Sequence, residues 1–135
     1  MSEIKLQYIT DCALLMMAYL TGEDRVVSSR EIEKAIHFPQ QCIFTAGRKL
    51  KKTGFVNTVS GPFGGYKLAK APEEITIQDI LAAFKDAFDI IDVLSAKRSA
   101  AAAVQNFTDI LINLEAEMKQ RMSSYTLADL LKETA

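Results

Sequence analysis

The chain has little of what the commoner catalytic and extracellular sites are built from: one histidine, two cysteines and three prolines in 135 residues. His37 stands alone at a turn, so no Ser/His/Asp arrangement can form around it, and there is neither a zinc-ligand set nor a phosphate-binding glycine motif followed by a helix. Cys12 and Cys42 fit neither a disulfide-stapled secreted scaffold nor a paired metal motif, so a reducing cytoplasm is the expected setting. No apolar run reaches membrane-spanning length. The N-terminus, with Glu3 and Asp11, lacks the charge profile of a signal peptide. These absences argue against an enzyme and for a soluble intracellular protein without a cofactor. Its length suggests one domain, or one small domain with a helical extension.

A formal net charge of −1 gives no overall attraction to a polyanion. The distribution is uneven, however. Residues 1–70 carry 10 Lys or Arg against 6 Asp or Glu, whereas residues 71–135 carry 6 against 11. A cationic region joined to an acidic one is one reading, and chance scatter of a few charges is the other.

Of the six glycines, Gly54, Gly61, Gly64 and Gly65 fall within Thr53–Ala69. Gly54 stops a preceding helix, Phe55, Val56, Thr58 and Val59 are strand formers, the Gly-Pro-Phe-Gly-Gly run turns the chain, and Tyr66, Lys67 and Leu68 return. The spacing predicts a β-hairpin. Directly before it lies Arg48-Lys49-Leu50-Lys51-Lys52, the densest basic run of the chain.

Upstream, the apolar residues from Ile9 to Leu20 repeat at helical spacing, and Val26-Val27 can pair with the hairpin. Ser28 with Glu31 reads as a capping box opening a second helix through Ile32, Ala35 and Ile36. Pro39 breaks that helix and suits the first turn of the next, which gives a helix-turn-helix. In the third helix Ile43, Ala46, Gly47 and Leu50 can face inward, with Gly47 allowing close packing on the first helix. Gln40, Gln41, Phe44, Thr45, Arg48 and Lys52 share the opposite face. Glutamine amides and a guanidinium fork are the groups that read adenine and guanine edges, whereas Lys49 and Lys51 suit phosphates. A solvated polar face is the alternative. A basic helix feeding a small hairpin is an arrangement that reads duplex DNA, with Ser60, Gly64, Gly65, Tyr66 and Lys67 as the hairpin's contacts.

After a polar break at residues 70–74, Thr76 and Asp79 open a further helix through Ile80, Leu81, Ala83 and Phe84, with Phe88 as a candidate end. Asp86, Asp89 and Asp92 would form an acidic ridge on a helix, more simply a solvated surface than a cation site. From about Val104 to Met122, Val104, Phe107, Leu111, Leu114 and Met118 alternate at spacings of three and four. That heptad seam suits a symmetric dimer, or packing on the same chain. Thr126 caps a last short helix with Leu130 and Leu131. The expected division is a winged helix-turn-helix region over residues 1–72 and a helical dimerisation and sensing region over 73–135.

Taken together, Ile9–Leu14, Leu50–Val56, the wing Gly61–Ala69, Glu73–Ile80 and Tyr125–Leu131 resemble the IscR/NsrR/CymR-type, or Rrf-two, family of bacterial winged-helix repressors. The resemblance covers nearly the whole chain. It implies a mainly α, homodimeric, DNA-binding transcriptional regulator that dimerises through the long penultimate helix. Many members hold an iron-sulfur cluster on three cysteines between the helix after the wing and the dimerisation helix. Residues 85–106 here contain none, so no cluster is expected, and Asp11, aligned with a ligand position of some members, reads as a polar residue of the first helix. Ser60 stands where the family usually has an arginine, which leaves Lys67 as the nearest basic group of the wing.

The expectation is thus a repressor bound to double-stranded DNA and controlled by a small-molecule or protein effector. The alternative is a protein-interaction module that keeps the fold with weakened DNA binding. Cys42, near the start of the third helix, is a candidate redox group, since a helix N-terminus favours the thiolate; a small packed cysteine is the other reading.

Overall fold

A computed structural model describes residues 2–84 and 101–132, with side chains from residue 8 onward. Helix α1 (Ser2–Thr21) begins well before the apolar repeat and buries Cys12, Ala13, Met16, Met17 and Leu20 on one face. Helix α2 (Ser29–Ile36) starts where Ser28 Oγ accepts from the Glu31 amide at 3.1 Å. The reciprocal half of that expected capping box is missing. Glu31 instead accepts from Tyr19 Oη at 2.6 Å and from both terminal nitrogens of Arg25 at 3.0 and 2.6 Å. A guanidinium fork and a phenol outcompete a single backbone amide for one carboxylate.

His37 ends α2 in the left-handed region, with φ 60° and ψ 42°. Pro39, expected inside the first turn of the next helix, sits one position earlier as the N-cap of α3 (Gln40–Lys52), in an extended conformation. Its missing N–H costs nothing there, and its carbonyl accepts from the Cys42 and Ile43 amides at 3.0 and 3.2 Å. Ile43, Ala46, Gly47 and Leu50 all point into the core, as their spacing predicts.

Gly54, at φ 87°, releases the chain into an antiparallel hairpin of β1 (Val56–Val59) and β2 (Gly65–Leu68), paired from Val56 with Leu68 to Val59 with Gly65. The strand expected around Val26–Val27 is reduced to one residue: Val27 and Tyr66 exchange two backbone hydrogen bonds of 2.8 Å. A side chain on Gly65 would collide with the Val27 carbonyl, so this close seam requires glycine. The expected approach of Gly47 to α1 is also corrected. A Cβ at Gly47 would lie 2.5 Å from Cε1 of Tyr66, so the close approach that needs glycine is to the hairpin, on a helix that also packs on α1.

A single-turn helix (Pro72–Glu74) leads to α4 (Ile77–Ala83), where both halves of the Thr76/Asp79 capping box form at 3.0 Å. Phe84 closes α4 from its C-cap position. Helix α5 (Ala102–Ser123) follows, about 33 Å long from its 22 residues, and buries none of its own side chains in the protomer. The last described element is a capped 3-10 turn (Leu127–Leu131) whose Thr126 bridges Thr76. One apolar core takes in α1, α2, α3 and the hairpin together with Ile75, Ile80, Phe84 and Leu127, so it crosses residue 72. Among the described residues, no helix is long and apolar enough to cross a membrane. The acidic ridge at Asp86, Asp89 and Asp92, and Phe88, lie outside the described residues.

Candidate nucleic-acid interface

Because α3 fixes its apolar face on α1 and Tyr66, its other face is committed to solvent. Gln41, Phe44, Arg48, Lys49, Lys51 and Lys52 are all exposed, with Thr45 half-buried between them. The expected cluster is therefore brought together, but its members are not equally free. Gln40 Nε2 donates to the Ser29 carbonyl at 2.9 Å and to Glu33 Oε1 at 2.7 Å, which ties α3 to α2 and spends the amide that would read a base. Thr45 Oγ1 donates back to the Gln41 carbonyl within its own helix. Lys49 Nζ lies 4.8 Å from the centre of the Phe84 ring, so α4 steadies one end of the basic run.

The hairpin stands beside this face. An open notch of about 320 Å³ is bounded by Phe44 on α3, by Ser28 and Arg30 at the start of α2, and by Thr58, Val59 and Pro62 of the hairpin. Among the expected wing contacts, Tyr66 turns inward and is only 8% exposed. Burial pushes its phenol above the usual range, with Arg48 nearby opposing that shift. Its ring supports the surface from beneath. Gly64 and Gly65 leave no room for a side chain, and their part in the geometry is to close the hairpin. Ser60 is exposed, and Lys67 lies 3.6 Å from the fully exposed Asp24, a loose surface pair worth little in water.

Two residues stand at this surface that sequence reasoning did not select. Arg30 adds a cation to the notch; its only signal is its place after the Ser28-Ser29 start of α2, which says nothing until the hairpin folds back beside it. Phe63 is 94% exposed at the wing tip. Its signal is an aromatic residue in a turn where glycine, proline and small polar residues are the rule.

A metal centre has poor support in the donor set. Among the described residues no group of three or more His, Cys, Asp or Glu side chains could hold an ion. Cys12 is fully buried on α1, its thiol pushed up to about 12 by burial and by the neighbouring Cys42. Cys42 is half-buried against the core. Two such thiols do not fit a cluster that takes three cysteines from one loop.

Comparison with known proteins gives a consistent result. The Rrf2 family model, described as "Iron-dependent Transcriptional regulator", matches residues 6–133. A proposed HTH-type transcriptional regulator of Aquifex aeolicus is 43% identical over 77 residues, covering 56% of this chain and 54% of that protein. The transcriptional regulator NsrR of Halalkalibacterium halodurans is 25% identical, over 95% of this chain and 90% of its own length. In fold, the chain is similar to CymR, the global cysteine regulator of B. subtilis, with a TM-score of 0.74 and 20% identity over 94% of this chain and 95% of that one.

Proposed function

We propose, for a chain that belongs to the Rrf2 family of winged-helix, DNA-binding transcriptional regulators, that it is a sequence-specific repressor acting as a homodimer without an iron-sulfur cluster. One observation carries the reading. α3 packs Ile43, Ala46, Gly47 and Leu50 inward and so presents Gln41, Phe44, Arg48 and Lys52 on a single outward face beside the hairpin. Inserted in the major groove, that face offers an amide and a guanidinium to base edges and an aromatic ring to thymine methyl groups. Lys49 and Lys51 take phosphates at its rim, and the wing reaches the backbone or minor groove beside it.

Dimerisation is read from α5, whose Val104, Phe107, Leu114 and Met118 are exposed along one seam, Phe107 by 60%. A second copy covering that seam sets two α3 helices at a fixed span, and so calls for a pseudo-palindromic site. The absence of a cluster is supported by the cysteine count and placement, which leaves control to a small-molecule or protein effector in the cytoplasm. Cys42 is the more accessible of the two thiols and so the candidate if that control is by oxidation. Selection of duplexes from a random pool by the purified protein tests the reading: enrichment of a two-fold-related motif is expected, and a pool that stays random contradicts it.

A further inference from the structure

The loop joining β1 to β2 contains no charged residue from Val59 to Tyr66, and its nearest cation, Lys67, is drawn towards Asp24 at 3.6 Å. The loop itself therefore brings no cation to the phosphates. What it offers is Phe63, 94% exposed, on a loop that is well ordered by its own geometry. The Gly64 amide donates to the Gly61 carbonyl at 3.0 Å, which makes Gly61–Gly64 a hydrogen-bonded turn with Pro62 and Phe63 at its two central positions. Proline fixes φ at the first of these, Gly61 takes φ 100° before it, and a side chain on Gly64 would collide with the Val59 carbonyl. The backbone that carries the ring is therefore ordered before any contact is made. Its neighbour Pro62 shares a notch with Phe44 of α3, which places the tip on the side of the molecule that faces the duplex.

We infer that Phe63 is an apolar wedge for the DNA minor groove, packing its ring against the sugar walls at a deformable step and making the wing a reader of groove width rather than of phosphate charge. Minor-groove proteins use phenylalanine in this way, and the contact is cheapest where the step unstacks easily and no guanine amino group projects into the groove. The inference rests on the reading of α3 as the major-groove element, because that fixes which groove lies under the tip.

The test uses the full chain and a labelled duplex recovered by the wild-type protein from a random pool. Phe63→Ala should weaken binding about ten- to a hundredfold, the equivalent of leaving a phenylalanine unburied. The slope of affinity against salt should not change, because no phosphate contact is lost. Replacing guanine by inosine under the wing, which removes only the minor-groove amino group, should strengthen wild-type binding and leave the Phe63→Ala protein indifferent. Equal affinity of the two proteins for the duplex, or a loss traced to dissociation of the dimer, overturns the inference while leaving the reading of α3 intact. A wild-type protein that recovers no duplex overturns both.

Discussion

The ring of Tyr66 occupies the space that a side chain at position 47 would need. Alanine there would gain about 1 kcal/mol of helix propensity yet place its methyl group 2.5 to 2.8 Å from two ring carbons and the hydroxyl of Tyr66. The clash should win, because the ring is buried and cannot swing away. Gly47→Ala is expected to lower stability by about 1 to 3 kcal/mol, the usual cost of overpacking, measured by urea unfolding. The need for a small residue here was legible in the sequence, but its partner was not: helical spacing shows which face turns inward and is silent on what meets it. Glu31 teaches the same lesson. Its spacing from Ser28 promised a capping box, and the competing Arg25 and Tyr19 become visible only when α1 and the following loop converge. Hydrogen bonds from Arg25 and then Tyr19 hold the Glu31 carboxyl down to about 2. A depressed carboxylate stabilises the fold above its unfolded value and loses that contribution as pH falls through its folded one. The stability gap between the wild type and Glu31→Gln should therefore be full at neutral pH and close between about pH 4.5 and pH 2, as followed by thermal unfolding across that range.

At the scale of elements, the helices were the most legible part because apolar spacing and capping residues mark them locally. The hairpin was equally plain from four glycines within Gly54–Gly65 around a run of strand formers. Boundaries slipped where a residue could serve either side of a start, as Pro39 does at α3, or where one residue sufficed in place of a strand, as at Val27. Helix α4 illustrates a device that was read correctly and matters beyond its length. Its full capping box fixes the short helix that carries Phe84 beneath Lys49. Thr76→Ala should cost about 1 kcal/mol of stability, the typical worth of such a cap, in a denaturant titration. A cost well below that would mean that Ile75 and the Tyr125 carbonyl hold the start of α4 without help from the threonine.

For the whole molecule, the apolar core runs across residue 72, where the division of the chain is expected. Ile75, Ile80, Phe84 and Leu127 complete the core that α1 and α3 begin, so a change near the C-terminal half has a mechanical route to α3, the helix proposed to enter the major groove. Periodicity could not reveal this, since it describes each helix alone. The seam of α5 is different: its heptad spacing was legible, and among the described residues none of its side chains is fully buried in the protomer. Leu114→Glu should leave the protomer folded and convert the assembly to monomers in sedimentation velocity, at concentrations where the wild type sediments as a dimer. Persistence of the dimer would move the interface elsewhere.

The most direct measurement is the affinity of the selected duplex across a range of salt concentrations, for the wild type and for Arg48→Ala and Lys51→Ala. If two α3 helices lie in the grooves, the wild type should show a steep loss of affinity with salt. Lys51→Ala should flatten the slope of log affinity against log salt by about 2, one phosphate contact from each protomer, and Arg48→Ala should weaken binding most at the bases it reads. A wild-type slope near zero, or slopes and affinities that both substitutions leave unchanged, would contradict the account.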